Sequence, residues 1–297
     1  MLLWSGQLAS TLGTAASQVI MPLLILAITN SPEAAGIAGA LRFIPYLVFS
    51  LPVGALIDRW DRKAVMIRCD VGRALAVATI PIAMAFDSLT LWQIYGVSLV
   101  EGTLFVFFNI AEVAALPRVV AKEQLPQASA LNEAGFGITN IVGPSFGTVL
   151  YQAFGRSVPF VSNVVTYAIS AIALVRIKAP FHTQREVEQH DLRKEVAEGL
   201  RWMWDKPLIR YMAFLTGGMN VINAAMPLII IVFAKQMGAS DGAIGVIFSA
   251  AGIGGVLGSL VGGGIQRRFT FGQVIIARSR DFGEADGQRI QKSPPPR

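Results

Sequence analysis

Residues 38–63 read AGALRFIPYLVFSLPVGALIDRWDRK. An apolar run interrupted only by Arg42 ends at Val53, and five charged side chains then crowd into residues 58–63. A helix needs about 20 mostly apolar residues to cross the hydrocarbon core of a bilayer. Lengthened a few residues toward its N-terminus, the apolar part meets that requirement, and the charged part is a turn that stays in water. The fold follows from how often this alternation recurs.

It recurs along most of the chain. Of 297 residues, 53% are hydrophobic and 15% charged, whereas a soluble domain carries roughly 25% charged residues. Mean hydropathy is +0.54. Eight spans can be marked, over residues 3–28, 34–57, 64–86, 89–110, 128–154, 158–175, 208–234 and 242–265. Short polar turns at Asn30-Ser31-Pro32, Asp87-Ser88, Gly155-Arg156 and 238–241 join alternate pairs. The expected fold is therefore an all-α integral membrane bundle.

Lys and Arg set the orientation of such a bundle, because they accumulate in cytoplasmic loops. The loops after spans two, four, six and eight hold Arg59, Arg62, Lys63 and Arg68, then Arg118 and Lys122, then a basic series from Arg176 to Arg210, and finally Arg267 and Arg268. The opposite loops hold only Arg156 and Lys235. The pattern predicts a multi-pass protein of the cell membrane with a cytoplasmic N-terminus. The net charge of +6 is then a topology signal, and nucleic acid is not an expected partner.

Other chemistries find no support. Cys69 is the one cysteine, and His182 and His190 share a charged loop, so neither a disulfide framework nor a metal site is expected. No Gly-Lys-Ser/Thr phosphate loop is present, which argues against an ATP-driven pump. No enzyme constellation and no cofactor are expected.

The longest connection, residues 176–207, divides a six-span half (1–175) from a partial second half (208–276). Within it DLRKEVAEGLRWMWDK places Leu192, Val196, Leu200 and Met203 on one helical face beside Trp202 and Trp204, as expected of a helix lying in the headgroup layer. A shift of 209 positions lays Ser31 on Ser240, Gly36 on Gly245, Gly54 on Gly263 and Arg59 on Arg268. Span two thus repeats in span eight with the same exit side, an arrangement used by secondary transporters.

On these residues the chain resembles the major facilitator superfamily. Gly54-Ala-Leu-Ile-Asp58-Arg59-Trp60-Asp61-Arg62-Lys63 resembles that family's loop between helices two and three, with Asp61 where the pattern has a second Gly. Gly143-Pro144-Ser-Phe-Gly147-Thr148 resembles the Gly-Pro-x-x-Gly-Gly motif of its exporters, with Thr148 in the last place. Further likeness to the macrolide-efflux and enterobactin-exporter branch lies in ALPRVVAKEQLPQASALNEA and EVAEGLRWMWDKPLIR. The resemblance implies a proton-coupled exporter of a drug-like or siderophore-like organic solute, built from two six-helix halves around a cavity. Its partners would be the bilayer, the solute and protons. Here a charge-rich tail, residues 277–297, follows the start of a ninth span. The tail is expected to be disordered and the frame truncated, which would leave the chain inactive unless the missing helices act in trans. The alternative reading is a non-transporting membrane protein or a partner subunit.

Candidate site residues follow from charge at membrane depth. Arg42 lies roughly 12 Å and Glu101 roughly 18 Å into their spans, at about 1.5 Å per residue. Such charges are costly unless they face a cavity or a partner. The expectation is that Glu101 takes up protons or binds a cation with Arg42 biasing its charge; a structural ion pair is the alternative. Gln18, Asn132, Asn140, Asn220 and Asn223 are candidates for the cavity surface. Gly54, Asp58, Arg59, Arg62, Lys63, Asp70, Arg73 and Glu133 are expected at a cytoplasmic gate, Asp70 and Arg73 sharing a helix face. In the resembled family Asp58 meets the N-terminus of a helix in the second half, where the dipole favours an anion. Gly143, Pro144 and Gly147 are expected to kink span five and let a neighbouring helix approach. Phe105, Phe107 and Phe108 are expected to face lipid or core.

Overall fold

A computed structural model describes residues 2–57, 59–120, 122–177, 192–240, 243–248, 250–251 and 253–254. All regular structure among them is helical: α1 (Leu2–Thr29), α2 (Pro32–Ile57), α3 (Arg62–Ala85), α4 (Leu91–Val119), α5 (Leu125–Phe154), α6 (Val158–Arg176), α7 (Leu192–Asp205) and α8 (Pro207–Gln236), with a short 3-10 turn at Lys122–Gln124. Residues 243–248 are also helical. The architecture below lies within one compact unit, residues 1–250.

The helix ends have local causes. Asp61 caps α3, its carboxylate accepting from the Lys63 and Ala64 amides, and Thr90 caps α4 by accepting from the Gln93 amide. Proline stands in the first turn of α2, α6 and α8, where its missing N–H costs nothing. The turns after α1, α3, α5 and α8 each contain one residue with positive φ: Asn30, Asp87, Gly155 and Gly238. These are residue types that tolerate the left-handed region, and all four close the less basic side of the bundle. The sequence ends span four at Ile110, but α4 continues to Val119 through Pro117. Glu112 therefore lies inside the helix.

Helices α1, α4, α6 and α8 are long and apolar enough to cross a membrane on composition alone. The more polar α3 and α5 run 24 and 30 residues and pack among them. Helix α1 packs on α5 and α6, α4 packs on α2 and α3, and α3 packs on α6. Exchanging the first three helices with the second three maps this set of contacts onto itself. Because three crossings reverse the direction of the chain, the two triplets form an inverted repeat.

Lipid tails are as apolar as leucine, so close backbone approach holds such helices together more than hydrophobic burial does. A methyl group at Gly102 of α4 would collide with the Arg42 backbone of α2, and at Gly143 or Gly147 of α5 with Ala15 or Ala16 of α1. The same exchange relates these two contacts. Gly54, expected to permit close packing, has no described atom within 4 Å of an added Cβ. Two apolar clusters complete the interior. One contains Ile20, Leu24, Ile25, Ile80, Ile94 and Phe160, the other Val53, Ile57, Met66, Ala111, Ala115 and Leu174. Between them lies a layer of buried polar side chains.

Candidate functional site

The polar layer is built around Glu101, which is 1% exposed. A lone carboxylate at this depth is costly, and two groups offset the cost. Arg42 Nη1 of α2 donates to Oε2 at 3.2 Å, and Tyr167 Oη of α6 donates to Oε1 at 2.8 Å. Thr14 Oγ1 of α1 lies 2.9 Å from the same Tyr167 hydroxyl. One carboxylate therefore ties four helices together.

A second ion pair borders the first. Arg73 is buried in α3 and its Nη2 donates to Asp70. Its guanidinium lies 4.5 Å from the ring centroids of Phe108 and Tyr167, in reach of cation–π attraction. Tyr167 thus touches both pairs. Asn163 Nδ2, one turn earlier on α6, donates to Ser17 Oγ of α1 at 2.9 Å.

Beside this layer opens a cavity of about 200 Å³ between α1, α4 and α5, with Arg73 of α3 also on its wall. Trp4, Phe105, Phe108 and Phe136 supply aromatic wall. Gln18, Glu112, Asn132, Glu133 and Asn140 supply polar wall. Glu112 Oε1 accepts from Asn132 Nδ2 at 3.2 Å, and Asn140 Nδ2 donates back to the Phe136 carbonyl of its own helix. Arg42 and Glu101 are not on the wall. Asn220 and Asn223 lie exposed on α8, away from it.

The charged turn acts on helix ends. Arg62 Nη1 donates to the Ala114 carbonyl of α4 at 2.9 Å. Lys63 Nζ donates to the Val175 and Ile177 carbonyls at 3.3 and 2.6 Å, which are orphan acceptors at the end of α6. Lys63 thus meets the negative end of the α6 dipole, while the Ala114 carbonyl lies more than one turn inside the end of α4. Trp60 stacks on Phe107, ring centroids 6.2 Å apart. The Arg59 amide donates to Leu56; Asp58 lies outside the described residues. Asp70 and Arg73 sit roughly 12 and 16 Å along α3 at 1.5 Å per residue, in the polar layer rather than in the turn. Phe105 and Phe108 are on the cavity wall while Phe107 is not.

Glu112, Tyr167, Thr14 and Asn163 are site residues that sequence reasoning missed. Glu112 stands eleven positions after Glu101, about three turns on the same helix face. Asn163, Tyr167 and Ser170 recur at helical spacing along one face of α6. Those spacings were the available signal.

The sequence matches the Major Facilitator Superfamily over residues 3–278. It is 29% identical over 233 residues to macrolide efflux protein A of Streptococcus pyogenes, covering 76% of this chain and 57% of that protein. It is 26% identical over 270 residues to the multidrug efflux pump Tap of Mycolicibacterium fortuitum, covering 88% and 65%. Similarity to the enterobactin exporter EntS of Shigella boydii is 24% over 245 residues, covering 82% and 58%. The chain thus spans less than two thirds of the length of these relatives.

Proposed function

This chain belongs to the major facilitator superfamily, and we propose that within it the protein exports a drug-like or siderophore-like organic solute in exchange for protons. The family and the apolar helices support a multi-pass membrane protein that acts in transport. Relatives that export macrolides, several drugs or enterobactin support an outward direction and an organic solute. The aromatic wall, interrupted by amides and carboxylates, suits a solute that is largely apolar with a few polar groups.

The observation that carries the coupling is the enclosure of Glu101. While charged, it holds Arg42 on α2 and Tyr167 on α6. Protonation removes the charge that holds Arg42 and weakens a contact between α2 and α4 beside their closest approach. A proton thus changes the balance between two packings of the bundle, which is what an exchanger requires. The N-terminus and the charged turns lie in the cytoplasm in this reading, and the cavity drawn by α1, α4 and α5 faces the second half of the transporter.

The test is efflux from cells expressing the chain, alone and with a fragment of a relative supplying further helices. A macrolide and a catecholate siderophore serve as solutes, and a protonophore collapses the gradient. Energised export lost in Glu101→Gln supports the proposal. Export that ignores both the protonophore and Glu101→Gln refutes it.

A further inference from the structure

Proton exchange at Glu101 needs a route, because Glu101 and Tyr167 are 1% and 0% exposed and neither lines the cavity. Thr14 does line it. The following inference rests on the reading of Glu101 given above. Of the two groups bonded to Glu101, Arg42 has donors and no acceptor, and it stays protonated, so it does not relay a proton. Tyr167 carries a hydroxyl, which both donates and accepts.

We propose that Thr14 and Tyr167 form a two-hydroxyl proton relay from the cavity to Glu101. The oxygens are in sequence at hydrogen-bond distance: Thr14 Oγ1 to Tyr167 Oη at 2.9 Å, then Tyr167 Oη to Glu101 Oε1 at 2.8 Å. In the step, hydronium in the cavity gives a proton to Thr14 Oγ1, whose own proton passes to Tyr167 Oη. The Tyr167 O–H bond breaks as its proton bonds to Glu101 Oε1. Both hydroxyls end neutral, one hydronium becomes water, and Glu101 gains one proton.

The surroundings explain why the relay is directed. The charged groups facing Glu101 and Tyr167 are Arg42 on α2 and the Asp70–Arg73 pair on α3. Arg73 lies over the face of the Tyr167 ring and leaves the hydroxyl to bridge α1 and α4. Helix α1 offers Thr14 and Ser17 in this layer, with no competing charge. The Ser10 carbonyl, 2.8 Å from Thr14 Oγ1, takes the Thr14 hydrogen in the alternative rotamer. The relay conducts when that hydroxyl turns to Tyr167.

The experiment is a pH jump on the full chain in lipid nanodiscs, following the protonated-carboxyl stretch by time-resolved infrared. Its assignment comes from Glu101→Gln. Thr14→Val leaves the Tyr167–Glu101 bond in place, so the expected result is a rate slower by about tenfold or more with the final amplitude unchanged. Thr14→Ser restores the rate. Tyr167→Phe, which keeps the ring, slows it as well and keeps the relay testable should Thr14→Val fail to fold. A Glu101 band arriving at the wild-type rate in Thr14→Val or in Tyr167→Phe overturns the relay and leaves the reading of Glu101 standing. A band unchanged in Glu101→Gln overturns both.

Discussion

Glu101 and Glu112 are the same residue type on the same face of α4, eleven positions apart, and their surroundings differ completely. Glu101 is sealed, with Arg42 and Tyr167 on its two oxygens. Glu112 lies on the cavity wall and accepts from Asn132. Helix α4 packs on α2 and α3, and its Phe105, Phe108 and Glu112 line the cavity shared with α1 and α5. The carboxylate in the closed part joins helices, and the one in the open part faces the cavity.

The largest expected effect comes from breaking the sealed site. Arg42→Leu leaves a buried carboxylate without its cation, and unfolding in detergent should show a loss of about 3–5 kcal/mol. Replacing Glu101 by Leu in the same chain should recover most of that loss; a single variant as stable as wild type would mean the pair does not hold α2 to α4. Next is Gly147→Leu, which forces α1 from α5 at their close approach beside Ala16. A loss of about 1–3 kcal/mol is expected from overpacking, read as a lower melting temperature, and an unchanged melt would deny the close approach. Asp61→Ala tests the α3 cap, whose hydrogen bonds involve neither carboxylate. Loss of the α3 cap should cost about 1 kcal/mol with solute binding unaltered. The smallest effect on stability belongs to Glu112→Gln, below about 1 kcal/mol, because an amide keeps a contact with Asn132. Its mark should instead be altered solute affinity by tryptophan quenching at Trp4, and a large destabilisation would make Glu112 another joint.

Much of this bundle was legible in the sequence because a bilayer tolerates few alternatives. Long apolar runs, polar turns and the placement of Arg and Lys marked the first seven spans to within a few residues, apart from the α4 end. Span eight is described only in part, and the amphipathic stretch is a helix, α7, with Trp202 and Trp204 exposed. Arg42 and Glu101 stood out as isolated charges. The α4 end was misread because Glu112 and Pro117 look like a boundary when taken locally. What keeps the helix going is tertiary: Asn132 meets the carboxylate and Arg62 the Ala114 carbonyl. Tyr167 and Thr14 were missed for a related reason, since uncharged hydroxyls are ordinary in membrane helices until a fold sets them in line. The substitution of Asp61 for glycine, a departure from the resembled motif, gains a physical reason as the α3 cap.

The central claim is that Glu101, and not Glu112, carries the coupled proton. Its most direct test is to add a macrolide to the purified chain in a weakly buffered nanodisc suspension with a pH indicator. Proton release on solute binding is expected from wild type and from Glu112→Gln, and none from Glu101→Gln. Release that persists in Glu101→Gln and disappears in Glu112→Gln would contradict the account.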